Sequence, residues 1–129
     1  IRDSAYYGMY FLELADYCTR ENNDEREVLK LLYQSLRALT VKSIPRRLVR
    51  CIYEIRPIVA NGEFPGLPQG NFSETALYAV EFIAGTPVEK LYTFTLKEEV
   101  LAELVQIAEK YRRDFLPGEF HTLEILETL

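Results

Sequence analysis

Apolar residues in this chain recur at steps of three and four, and each run is closed by a proline, a glycine or a short polar break. That spacing places them along one face of an α-helix, so the pattern predicts an all-α fold. The first helix is expected from about Asp3 to Arg20. Tyr7, Phe11, Leu14 and Cys18 form its inner face, and Tyr10 and Tyr17 widen the stripe. Glu21-Asn22-Asn23 breaks it. Asp24 with Glu27 reads as a capping box for a second helix to about Thr40, with Val28, Leu31, Leu32, Leu36 and Leu39 inward. The short break predicts an antiparallel hairpin.

A third helix is expected from near Ser43, with Pro45 in its first turn, where a missing N–H costs little. Ile44, Leu48, Cys51, Ile52, Ile55 and Val59 point inward. Arg46, Arg47, Arg50 and Glu54 point outward, and Pro57 predicts a kink or an end. Gly62 to Asn71 is a loop, because Pro65, Gly66, Pro68 and Gly70 exclude regular structure. Ser73 caps a fourth helix to about Ala84, with Ala76, Leu77, Val80 and Ile83 inward, and Gly85-Thr86-Pro87 stops it. Val88 to Phe94 reads as a helical turn and an extended link. Thr95 with Glu98 reads as a second capping box, opening a fifth helix to about Arg113 with Leu96, Val100, Leu104, Ile107 and Tyr111 inside. After Pro117-Gly118 comes a short terminal helix, about His121 to Glu127, presenting Leu123 and Leu126. The expectation is a five- to six-helix bundle with a Pro/Gly-rich loop after the third helix and no zinc finger. Residues 1–129 form one helical domain, the C-terminal part of a longer protein.

Nearly half the residues are hydrophobic, and sixteen are Phe or Tyr, enough for a sizeable single core. No apolar run approaches the roughly 18 residues of a membrane helix, so no membrane partner is expected. Ile1-Arg2-Asp3 lacks an initiator Met and the layout of a signal peptide, and reads as a cut end of a cytoplasmic protein. Cys18 and Cys51 lie far apart and His121 is the only histidine, too few donors for a four-ligand zinc site. Both thiols fall on apolar faces and read as buried in a reducing cytosol, with a disulfide between them left open.

Catalytic patterns are missing. The glycines from Gly62 to Gly70 are separated by prolines, which interrupt the run of N–H donors a phosphate cradle needs. His121 has no orienting acid and nucleophile beside it in sequence, and Glu98-Glu99 point about 100° apart on a helix. No catalytic residue and no cofactor are therefore expected. A helical enzyme would announce itself by a buried, strongly perturbed carboxylate in a deep cleft, of which the sequence gives no sign.

Charge is the informative polar feature. The chain carries a net −5, yet Arg37 to Arg56 holds six basic residues against Glu54 alone. Lys42, Arg46, Arg47 and Arg50 are the candidate DNA- or partner-binding stripe, since guanidiniums grip phosphates and carboxylates. Arg112 and Arg113 are a second candidate. The plain alternatives are a solvated face with Arg50 paired to Glu54, and compensation of a helix dipole by Arg112 and Arg113.

Four segments in order carry a family resemblance: YYGMYFLEL (Tyr6 to Leu14), RLVRCIYEIRPIVANGEFP (Arg47 to Pro65), VEKLYTFTLKEEVLAEL (Val88 to Leu104) and FHTLEILETL (Phe120 to Leu129). Together they resemble the C-terminal domain of RecO, the bacterial recombination mediator of DNA repair. The resemblance implies a missing N-terminal OB-fold before Ile1. It implies partners too: DNA, RecR, and the acidic, Phe-ended tail of single-strand binding protein (SSB), which the helical domain docks. Many relatives hold zinc with four cysteines. Here Gly66 to Ser73 (GLPQGNFS) stands where their first CxxC falls, so zinc is expected to be absent. The expected function is a mediator domain that docks the SSB tail and RecR and assists DNA binding and strand annealing. The alternative is a generic helical interaction scaffold with no DNA role.

Overall fold

The run Leu48 to Ile58 is apolar except at Arg50, Glu54 and Arg56, too few polar positions for a helix exposed along its middle. The computed structural model accordingly places this segment at the centre. It describes residues 2–21 and 23–129. Ile1, the expected cut end, and Asn22, in the expected break, lie outside the described residues. Six α-helices follow one another: α1 Arg2–Arg20, α2 Glu25–Ala38, α3 Arg46–Ala60, α4 Glu74–Gly85, α5 Glu98–Phe115 and α6 His121–Leu126. A 3-10 turn at Val88–Lys90 links α4 to α5, and no strand occurs among the described residues. The all-α bundle agrees with the periodicity.

α3 packs against α1, α2, α4 and α5, while α6 returns to α1. Leu48, Ile52, Ile55 and Ile58 of α3 are fully buried with Phe11 and Leu14 of α1, Val80 and Ile83 of α4, and Leu101 and Leu104 of α5. Phe11 and Tyr53 stack at 4.2 Å, and the Tyr53 hydroxyl donates to the Phe11 carbonyl at 2.6 Å. Such aromatic pairs contribute about 1 kcal/mol beyond burial. Early α1 lies beside late α2, with Gly8 facing Leu36, so the pair is an antiparallel hairpin. Cys18 and Cys51 are both buried and free.

Local signals place most helix ends. Asp24 accepts from the Arg26 N–H and Ser73 from the Ala76 N–H, each capping the helix that follows. The starts of α3 and α5 differ from expectation. α3 begins at Arg46, because Pro45 sits before it in an extended conformation and its ring holds Ile44 out of the helix. α3 ends at Ala60 with Asn61 as its cap, where Asn61-Gly62 is expected to stop it, and it runs through Pro57 because the proline falls in the last turn. α5 begins after Lys97 without a side-chain cap, not at Thr95: Phe94 packs edge-on against Phe82 of α4 and Leu96 against the core, which holds the link extended.

Candidate functional site

The basic window of α3 and its approach does not form one stripe. Successive helical residues point about 100° apart, and four of the six cations have protein partners. Arg37 lies over the Tyr33 ring, 5.8 Å from its centroid. Arg56 donates to the carbonyls of Ile83 at 2.8 Å and Thr86 at 2.6 Å, satisfying the end of α4. Arg47 donates to Glu98 at 2.9 Å, an exposed pair, and Arg50 reaches Glu54 at 3.1 Å. Lys42 and Arg46 are left: among the described residues no carboxylate lies within 4 Å of either.

Those two line a groove of about 820 Å³. Its walls are the start of α1, the end of α2 and the link to α3. Gly8, Leu36, Leu39, Val41 and Ile44 give it an apolar floor. The groove exists because Gly8 carries no side chain and because Pro45 delays α3, leaving Val41 to Ile44 as a turn. Val41 is exposed. An apolar floor with two unpaired cations suits a segment that carries both an apolar side chain and negative charge.

A second arrangement lies between α3 and α5. Glu54, expected outward, is buried, with 2% of its surface exposed. It sits mid-way along a helix packed against by α1, α2, α4 and α5, so its position on the Arg50 side of α3 faces α1 and α5 instead of water. Its Oε2 accepts from the Tyr10 hydroxyl at 2.5 Å and from Arg50 Nε at 3.1 Å, with Arg112 Nε at 3.5 Å. Burial is the largest influence on the Glu54 carboxyl and pushes it up, against the pull of Arg50, Tyr10 and Arg112. Burial and the Glu54 charge hold the Tyr10 hydroxyl firmly protonated, as a donor. Burial works against charge on Arg50, but Glu54 outweighs it and the guanidinium stays charged.

This buried, perturbed carboxylate is the feature the sequence concealed. Its signal was present: a lone Glu inside Cys51-Ile52-Tyr53-Glu54-Ile55, four residues after an Arg. The two basic candidates also prove to be neighbours in part. Arg112 meets Arg50 through Glu54, while Arg113 points away and lies 3.8 Å from Glu109.

Where zinc would sit in relatives, the residues do not fit a metal: Gly66 to Ser73 holds no cysteine or histidine, and among the described residues no cluster of three His, Cys, Asp or Glu can hold one. The loop hangs on α5. The Tyr111 hydroxyl donates to the Gly66 carbonyl at 2.7 Å, Phe64 packs edge-on against the Tyr111 ring, and Glu103 accepts from both the Ser73 N–H and hydroxyl at 2.7 Å. No helix among the described residues is long and apolar enough to cross a membrane.

Comparison with known families matches residues 2–70, just over half the chain, to the model described as Recombination protein O C terminal. The match covers α1, α2 and α3, and so Lys42, Arg46, Arg47, Arg50 and Glu54, and it ends in the loop that lacks the cysteines. No curated protein and no solved structure matches.

Proposed function

The chain belongs to the RecO C-terminal family, a family of DNA repair and recombination, and from that premise we propose that it works as the docking half of a recombination mediator. It binds an acidic tail that ends in an aromatic residue, as that of SSB does, and acts by binding, without catalysis and without zinc. The observation that carries this reading is the groove at Gly8, Leu36 and Val41 with Lys42 and Arg46 unpaired on it. The aromatic side chain would enter the apolar floor, and the tail's carboxylates would meet the two cations. RecR and DNA remain partners of the same reading, with DNA held mainly by an OB-fold outside this chain.

Glu54 gives no support to a catalytic reading despite its burial. Its Oε2 already holds Tyr10 and Arg50, and a general base must reach the substrate proton directly or through one water. His121 is exposed and does not line the cleft between α3 and α5 at which Glu54 lies.

A peptide titration tests the proposal. The parent chain should bind an acidic, Phe-ended peptide with a Kd on the order of micromolar, about −8 kcal/mol. Lys42→Glu with Arg46→Glu should weaken it at least tenfold. Gly8→Leu should weaken it without any change of charge, by filling the floor; an added Cβ there meets only the Leu36 side chain at 3.7 Å. Unchanged binding in both variants would remove the groove from the proposal. Reversal of Arg50, which the bare stripe suggested, is a poor test because it would also strip Glu54 of its partner.

A further inference from the structure

The cleft between α3 and α5 is separate from the docking groove. Arg47 and Arg50 enter it from α3 and Arg112 from α5, and Glu54, Glu109 and Glu127 complete its charged lining. The three carboxylates are unequal. Glu54 is buried and committed to Tyr10 and Arg50. Glu109 and Glu127 are exposed, so salt and solvent screen their repulsion more than they screen the attraction of buried cations.

Arg112 is incompletely satisfied. Its side chain is 12% exposed, and its Nε is the one buried side-chain nitrogen or oxygen among the described residues without a hydrogen-bond partner. Buried polar groups are ordinarily paired, and this nitrogen has only the Glu54 carboxylate, at 3.5 Å, too long for a good hydrogen bond. The charge count agrees. Glu54 is shared by two guanidiniums, so it alone cannot neutralise both Arg50 and Arg112, and the other two carboxylates of the cleft, Glu109 and Glu127, are exposed. Arg47 stands at the rim, and its partner Glu98 is 75% exposed and easily displaced.

We infer that this cleft is a phosphate site, in which one phosphate group is held by Arg47, Arg50 and Arg112. Its volume of about 210 Å³ falls below the roughly 300–1,000 Å³ of pockets that enclose whole small molecules. A single group therefore fits. Guanidiniums arriving from two helices can each take different oxygens of a tetrahedral anion, whereas a carboxylate offers only two.

The test is titration of sodium phosphate into the whole chain at constant ionic strength, read on the arginine Nε–H signals by nitrogen-15 NMR and on the thermal midpoint. Sodium acetate and sodium chloride are the parallel arms. Phosphate should shift the Arg50 and Arg112 signals saturably and raise the midpoint. Arg112→Gln should lower phosphate affinity at least tenfold, and Arg47→Gln, at an exposed position that leaves the fold intact, several-fold. Lys110→Gln, an equal charge change elsewhere on α5, should leave it unaltered. If Arg112→Gln does not fold, Arg47→Gln and the parent's arginine signals decide. Phosphate acting no differently from chloride would overturn the proposal, as would acetate matching phosphate or Arg47→Gln binding phosphate like the parent.

Discussion

Glu54 shows how one polar residue organises a core. Its carboxylate ties α1 through Tyr10, its own helix through Arg50 and α5 through Arg112. Buried ion pairs contribute little on balance, but removing one member leaves the others uncompensated. Glu54→Gln should therefore destabilise by about 3 kcal/mol or more in urea denaturation, and Tyr10→Phe by about 1–3 kcal/mol. The double variant should lose less than the sum, because both changes strike one network. A Glu54→Gln chain as stable as the parent would show the cluster to be incidental. The thiols belong to this scale as well. Burial pushes Cys18 to about 11 and Cys51 further still, so both should resist a thiol reagent at neutral pH and react only on unfolding. Fast labelling of the native chain would contradict their packing. The sequence made the burial of the cysteines legible through helical spacing, yet left Glu54 on the outer face. Spacing reports which side of a helix is apolar, and it fails where a helix is enclosed on every side.

Between elements, three side chains distant in sequence finish helix ends. Glu13 of α1 accepts from the His121 and Thr122 N–H groups and the Thr122 hydroxyl at the start of α6. Glu103 of α5 does the same for the approach to α4, and Arg56 of α3 closes the far end of α4. Burial alone would raise the Glu13 carboxyl, but those hydrogen bonds outweigh it and hold it below the usual carboxylate range. A carboxylate held low in the folded state stabilises fully above its unfolded value, and that contribution is lost as pH falls through the folded one. Hydrogen exchange should thus show α6 loosening from α1 in acid, below the ordinary Glu range, before the rest of the bundle opens. Glu13→Gln should cost about 1 kcal/mol at neutral pH and flatten that dependence. Equal protection of α6 in parent and variant across the acid range would contradict it. Caps within a helix, Asp24 and Ser73, were readable because a cap acts two or three residues away. Glu13 and Glu103 were not, since nothing local links residue 13 to residue 122. Thr95 misled for the related reason that Phe94 answers to Phe82 across the fold and not to its neighbours in sequence.

For the molecule as a whole, the bundle was legible and the site only half so. Six helices and the Pro/Gly loop follow from periodicity and breakers, but a groove is made by what several elements leave unfilled. Lys42, Arg46, Arg47 and Arg50 form one cluster in sequence. Folding divides them between the groove beside Gly8 and the cleft between α3 and α5, and Arg112 joins the second. Net charge of −5 with local cations predicts weak DNA binding by this chain alone, falling steeply as salt rises; tight, salt-insensitive binding would contradict that division of labour. The most direct test of the docking account is amide NMR of the whole chain titrated with an acidic, Phe-ended peptide. The account predicts saturable perturbations centred on Gly8, Leu36, Val41, Lys42, Ile44 and Arg46, with the α3–α5 cleft quiet. Perturbations confined to another face, or no saturable change at millimolar peptide, on the order of −4 kcal/mol, would contradict it.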